Sequence, residues 1–211
     1  MAVGVLLART DDLEEVVAVL ARAYTANPLI CWALPDDATR EESTRAWLRP
    51  SLAHYLEDGI VHAVRADGCV VACAAWRPAT GLAPADGRRP ADALAALVGA
   101  SRADEIGAAM SVTSALAPPS PAHYLNYLGV DPAHRRRGLG AALVRAGVQA
   151  ADDDGVDAWL CTSDPTNEPF YTGFGFTVTG RRPLGGGPVL AAMHRPRQAG
   201  AGSANQTTVS P

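Results

Sequence analysis

The sequence predicts a domain of the α+β or α/β class, with helices and strands interleaved around one core. Three observations carry that expectation. Helix-spaced apolar residues alternate with short apolar runs of strand length, and neither kind is confined to one half of the chain. Asp67-Gly68 lies between two such runs, which is the turn chemistry of a β-hairpin. The composition, 48% hydrophobic and 19% charged over 211 residues, suits a globular domain large enough to bury a sizeable core.

Taken in order, Val3 to Leu7 reads as a first strand. Asp11 and Glu14 have the spacing of a capping box, and Val16, Val17, Leu20 and Tyr24 continue it at helical intervals. Asn27-Pro28 breaks that helix. Pro35-Asp36-Asp37 opens another, carried by Trp47, Leu48, Leu52 and Tyr55 as far as Gly59. Ile60 to Val64 and Cys69 to Trp76 are the two arms of the hairpin. Residues 78–90, rich in Pro, Gly and Ala, read as loop, and Ala91 to Met110 as one helix through Leu94, Leu97 and Ile106. After Pro118-Pro119-Ser120-Pro121 come a strand from Tyr124 to Val130, a helix from Leu139 to Asp152 and a strand from Ala158 to Thr162. A short helix near Phe170 and strands from Phe176 to Thr179 and Val189 to Met193 complete the set. Residues 1–195 are expected to form a single domain, and residues 196–211, nearly devoid of apolar side chains, a disordered tail.

The formal net charge is −4, so no global field draws the protein to nucleic acid or anionic lipid. Every one of the 18 lysine-plus-arginine positions is arginine. Cys31, Cys69, Cys73 and Cys161 form no CxxC pair and have no histidine cluster at ligand spacing, so they read as free thiols, not metal ligands. No run approaches the ~18 apolar residues that span a bilayer, and no signal-like leader follows Met1. These features point to a cytoplasmic protein with no metal, membrane or nucleic-acid partner.

The segment from His134 to Val144, HRRRGLGAALV, sets three arginines against glycines at a helix start. As a nucleic-acid patch it is isolated in an acidic chain. As a nucleotide P-loop it lacks the lysine that reaches the β- and γ-phosphates. As a dinucleotide fingerprint its first glycine, Gly138, comes too late after the strand, and Leu143 is too large for the third position. A pyrophosphate site remains: Gly138 and Gly140 let backbone N–H groups approach an anion at the positive end of a helix, with arginine at the rim. A basic helix start that binds nothing is the competing reading at this point.

Two motifs together resemble a known family. Arg135-x-x-Gly138-x-Gly140, after the strand ending at Val130 and Asp131-Pro132, resembles the acetyl-CoA loop of the GNAT (Gcn5-related) N-acetyltransferases. Thr162 to Thr179, with Phe170-Tyr171 and Gly175-Phe176, resembles that family's C-terminal signature. The resemblance covers residues 3–195 in organisation and about residues 123–180 in motif, where the chain is most similar to the puromycin N-acetyltransferase branch. It implies a mixed, mostly antiparallel sheet flanked by helices, with two strands splayed apart around the cofactor.

The resemblance also implies roles. Leu128, Gly129 and Val130 would hold the pantetheine of acetyl-CoA. The loop Arg135, Arg136, Arg137, Gly138, Leu139, Gly140 and Ala141 would hold its pyrophosphate. Tyr171 would donate a proton to the leaving thiolate. The family often has Asn at the position of Asp164; Asn167 would take over its contact, or Asp164 would cap the short helix. Relatives carry a glutamate or histidines at the positions of Tyr124 and Asn126, so these two are expected to order a water relay in place of a base. Period-two alternation puts Tyr124 and Asn126 on one face with Leu128 and Val130, and His123 on the other as a structural residue. His54, His62 and Glu57 are more distant candidates. Tyr24, Trp32, Tyr55 and Trp76 are candidates for the acceptor wall.

The expected activity is acetyl transfer from acetyl-CoA to a primary amine of a small molecule, by direct attack, with no metal. An acidic chain with these aromatics would suit a cationic, partly apolar acceptor such as an antibiotic-like or aminonucleoside compound, in keeping with antibiotic resistance. A protein or peptide acetyltransferase and a catalytically silent acyl-CoA-binding module are the alternatives. The protein is expected to act as a monomer or homodimer.

Overall fold

The computed structural model describes residues 3–82 and 89–198, so most of the expected disordered tail lies outside the described residues. Strand β1 (Leu6–Leu7) is shorter than expected, although Val3 and Val5 still pack on the core. Helix α1 (Leu13–Ala23) follows a single 3-10 turn, and the capping contact is from the Arg9 amide to Asp12 at 2.8 Å, not between Asp11 and Glu14.

Asn27-Pro28 does break α1, but it also starts a helix. The Asn27 Oδ1 accepts from the amides of Leu29 and Ile30, and Pro28 occupies the first turn of α2 (Pro28–Ala33). Asp36 binds the Ala38 amide and the Thr39 hydroxyl, which delays α3 (Arg40–Asp58) past the expected start. Strands β2 (Ile60–Ala66) and β3 (Cys69–Arg77) form the hairpin, with both Asp67 and Gly68 at positive φ. The expected single helix from Ala91 to Met110 is two, α4 (Pro90–Val98) and α5 (Ala100–Met110), parted by Gly99 at φ 82°.

Strand β4 (Ala122–Val130), helix α6 (Leu139–Asp153), strand β5 (Asp157–Thr162) and the short helix α7 (Glu168–Thr172) follow as expected, and β6 (Thr177–Pro183) and β7 (Val189–Arg195) end the domain. The seven strands form one sheet in the order β1-β2-β3-β4-β5-β7-β6, antiparallel throughout except for β4 with β5.

One face of the sheet packs on α6 through Trp76, Leu143, Leu160, Phe176 and Met193. The other packs on α1 and α3 through Val16, Leu20, Leu52, Tyr55 and Cys73. Both contacts depend on glycine. A Cβ at Gly129 of β4 would stand 2.7 Å from the Leu20 side chain, and one at Gly147 of α6 would stand 2.1 Å from the Trp76 indole. A third cluster, from α2 to α5, holds Ile30, Trp47, Leu94 and Ile106.

Two irregularities in β4 position the site. Ala75 opposes Tyr127 while Trp76 opposes Leu125, so Asn126 is an extra residue, a β-bulge. Parallel pairing with β5 covers only Ala122 to Leu125, leaving Asn126 to Val130 without a neighbour on that side. The strands therefore splay apart where the bulge bends β4.

The bulge overturns the expectation that Tyr124, Asn126, Leu128 and Val130 share a face. Leu128 and Val130 pack toward α6, whereas Tyr124 stacks at 4.3 Å on Trp159, which faces away from α6 between Ala158 and Leu160. His123 does point to the α6 side. It is 3% exposed, its Nδ1 accepts from the Ala79 amide at 3.0 Å, and its Nε2 faces Asp154 at 2.9 Å, a structural arrangement.

Candidate active site

The loop between β4 and α6 carries the strongest local signal. Arg136 (φ 59°) and Gly138 (φ 77°) both adopt left-handed backbone, which turns successive amides toward one side. Gly138 offers no side chain to cap α6, and the first bond of that helix runs from the Ala142 amide to the Gly138 carbonyl. Among the described residues, the amides of Leu139, Gly140 and Ala141 have no acceptor. Three directed donors thus sit at the positive end of a fifteen-residue helix.

These amides open into a cleft of about 650 Å³ between the splayed strands. Leu128, Gly129, Val130 and the loop residues Arg135, Arg136, Gly138, Leu139, Gly140 and Ala141 line one wall. Asp164, Asn167, Phe170 and Tyr171 line the facing wall. Every expected donor-site residue is therefore gathered here except Arg137. That side chain does not reach the cleft; it turns back on the loop, toward the Ala133 carbonyl at 3.4 Å.

Asp164 caps the 3-10 turn that precedes α7, its Oδ1 accepting from both the amide and the hydroxyl of Thr166, while Asn167 stands at the N-cap of α7 itself. The loop is also tied to α1. Arg22 binds Asp131 through both Nε (2.8 Å) and Nη2 (2.7 Å), and Arg135 donates to the Ala23 carbonyl at 3.1 Å. Burial alone would raise the Asp131 carboxyl, but the bonds from the Ala133 amide and Arg22 hold it below the usual carboxylate range.

A second cavity, of about 320 Å³, lies beyond the first, walled by α2 to α5 and the outer face of β4. Tyr24, Asn27, Leu128, Asn167 and Tyr171 line both spaces, so the two meet at this group. Sequence reading missed Asn27. Its Oδ1 accepts from the Ser163 hydroxyl at 3.2 Å as well as from its own helix, joining α2 to the end of β5. The signal was present, since Asn followed by Pro is a helix-start pair.

At the junction the Leu128 amide donates to the Tyr24 hydroxyl at 3.0 Å. Burial pushes the phenols of Tyr24 and Tyr171 well above their ordinary value, so both stay protonated. Tyr171 is held edge-on by Phe170 (centroids 5.2 Å) and Phe176 (6.1 Å), and its hydroxyl has no protein partner among the described residues.

Tyr124 and Asn126 line the second cavity. Asn126 lies beside the phenols of Tyr55 and Tyr127, and Tyr127 donates to the Ser51 hydroxyl at 3.0 Å. The other acceptor-wall candidates do not reach it. Trp76 is fully buried under Gly147 on the opposite face of the sheet. The Trp32 ring packs against Arg102 and Gly187, and Tyr55 stands behind Tyr127. Glu57 is exposed on α3, His54 pairs with Asp58, and His62 is buried in β2; none lines either cavity.

The model of the acetyltransferase (GNAT) family matches residues 27–176, most of the chain. The protein belongs to the GNAT acetyltransferase family. Solved structures with the same fold include a histone acetyltransferase HPA2 and related acetyltransferase from Corynebacterium glutamicum, at 21% identity and TM-score 0.68, covering 95% of this chain and 99% of that one. The PaiA N-acetyltransferase of Thermoplasma acidophilum, in complex with coenzyme A, matches at 11% identity and TM-score 0.58, over 93% and 99% of the two chains. A Drosophila melanogaster polyamine N-acetyltransferase matches at 14% and TM-score 0.56, over 92% and 99%. At these identities the likeness is one of fold. Among the described residues of this GNAT chain, no helix is long and apolar enough to cross a membrane, and no three His, Cys, Asp or Glu are placed to hold a metal.

Proposed function

We propose that this acetyltransferase moves an acetyl group directly from acetyl-CoA to the amine of a small molecule. The observation that supports it is the meeting of two cavities at Tyr24, Leu128 and Tyr171. One is open and ends in free amides and Arg136, which fits a pyrophosphate. The other is smaller and walled largely by apolar side chains, which fits an acceptor.

The residues suit the proposed donor on several counts. The space beside Gly138 is open, the first-turn amides of α6 lack acceptors, and the β4 edge from Asn126 to Val130 is unpaired. When bound, acetyl-CoA supplies an activated acetyl thioester. The amides of residues 139–141 would bind its pyrophosphate, and the Leu128 to Val130 edge its pantetheine.

The transfer forms an N–C bond and breaks a C–S bond. Tyr171, kept protonated by burial, donates a proton to the departing sulfur. The amine loses its own proton through water held by Tyr124 and Asn126, which line the acceptor side. Within the family, the motifs between residues 123 and 180 support a relationship to the puromycin N-acetyltransferase branch. Appearance of free CoA thiol from acetyl-CoA only when an amine is added, together with the N-acetylated amine by mass spectrometry, tests the function. Tight acetyl-CoA binding with no thiol release across amines and peptides would replace it with a silent acyl-CoA-binding module.

A further inference from the structure

The chain is acidic overall, yet among its described residues no Asp, Glu, Arg or His lines the second cavity. Several of its carboxylates pair with arginine elsewhere: Glu14 with Arg49, Asp12 with Arg65, Glu168 with Arg181 and Asp152 with Arg195. The deep wall is apolar, from Trp47, Leu94, Ile106 and Met110. Polar groups line the rest: Tyr24, Asn27, Asn167 and Tyr171 at the end shared with the cleft, and Tyr124, Asn126 and Ser163 along β4 and the end of β5.

Resting on the transfer proposed above, we infer that the acceptor is a monoamine with one amino group on a compact apolar body of one or two rings. Two physical points carry this. The cavity of about 320 Å³ is roughly twice the ~150 Å³ apolar cavity that holds one benzene. A second ammonium on the acceptor would also meet no carboxylate among the described lining residues, while Arg77 stands 4.9 Å from the Tyr124 ring, and burying an uncompensated charge is strongly disfavoured. The amine stands at the polar end beside Tyr171 and the ring against the deep wall. Polyamines, aminoglycosides and peptides, which bring several charges or a long polar backbone, do not fit that division.

The test measures CoA thiol release with the full chain, acetyl-CoA and one acceptor at a time: phenethylamine, tryptamine, spermidine, kanamycin and a short alanine-terminated peptide. Acetyl-CoA affinity is measured alongside by calorimetry. The expected kcat/KM for phenethylamine or tryptamine exceeds that for spermidine, kanamycin and the peptide by about a hundredfold or more.

Gly107→Asp supplies a gain-of-charge control. Gly107 lies on the cavity wall at an exposed position of α5, and its added Cβ meets nothing within 4 Å. The variant is expected to raise kcat/KM for spermidine about two- to fivefold relative to phenethylamine, with acetyl-CoA affinity unchanged. Comparable turnover of spermidine or the peptide by the wild type overturns the acceptor class while leaving acetyl transfer standing, as does an unchanged ratio in Gly107→Asp. Bound acetyl-CoA with no turnover of any acceptor overturns the transfer itself, and the acceptor class with it.

Discussion

Replacing Tyr171 with phenylalanine removes a single oxygen, and the structure separates what that should change from what it should not. The ring keeps its edge-on contacts with Phe170 and Phe176, because neither involves the hydroxyl. The hydroxyl has no protein partner among the described residues, so no buried donor or acceptor is orphaned by the change. Stability should hold within about 1 kcal/mol, a shift of roughly 2–4 °C in Tm for a chain of this size.

Catalysis should respond differently. A positioned general acid is worth about 10²–10⁴ in rate, or roughly 2.7–5.4 kcal/mol at 1.36 kcal/mol per tenfold. Tyr171→Phe is therefore expected to lower kcat at least a hundredfold, with acetyl-CoA affinity by calorimetry unchanged within about twofold. The pH profile gives a second reading. Burial raises the Tyr171 phenol above its ordinary value, so in the wild type the loss of activity from its ionisation falls above pH ~10, and the rate rises with pH below that as the acceptor amine deprotonates. A variant with normal kcat and intact acetyl-CoA binding would refute the acid role.

Further expectations concern the loop and the fold. Gly138→Val puts a β-branched residue at φ 77°, and with open space around the new Cβ the cost is conformational, about 1–2 kcal/mol. Acetyl-CoA affinity should fall tenfold or more, while circular dichroism stays native. Asp152→Ala leaves Arg195, 4% exposed, without the carboxylate that binds it at 2.8 Å through two nitrogens, and should cost about 3–5 kcal/mol in denaturant unfolding. The Arg195 bond holds the Asp152 carboxyl below its unfolded value. Its stabilisation is therefore complete above pH ~4 and lost as pH falls through the native value, so the variant should also show a flatter acid limb of stability.

What could be read beforehand was local chemistry. The loop from Arg135 to Ala141 was legible because glycine spacing, charge and the following helix all lie within a few residues, and all but Arg137 line one cleft. Asn126 was not, because a bulge comes from how β4 pairs with β3, and alternation along one strand cannot register an inserted residue. Trp76 looked like a pocket aromatic, and its true place was encoded far away in Gly147, the glycine that lets α6 close over the indole. The acceptor cavity was least visible of all. Its wall comes from Leu94, Ile106 and Met110 on α4 and α5, whose break at Gly99 gives no sign of which faces converge.

The most direct test concerns how the acetyl group crosses the junction. Cys161 lines the acceptor cavity, and a covalent route through its thiol would be the alternative to direct attack; burial pushes that thiol up to about 11, which makes it a poor nucleophile at neutral pH. Initial rates with acetyl-CoA and an accepted monoamine both varied, paired with intact-protein mass spectrometry in acetyl-CoA alone, separate the two routes. Direct transfer requires intersecting reciprocal plots and no acetylated protein. Parallel plots with an acetylated protein that decays on adding amine would contradict it.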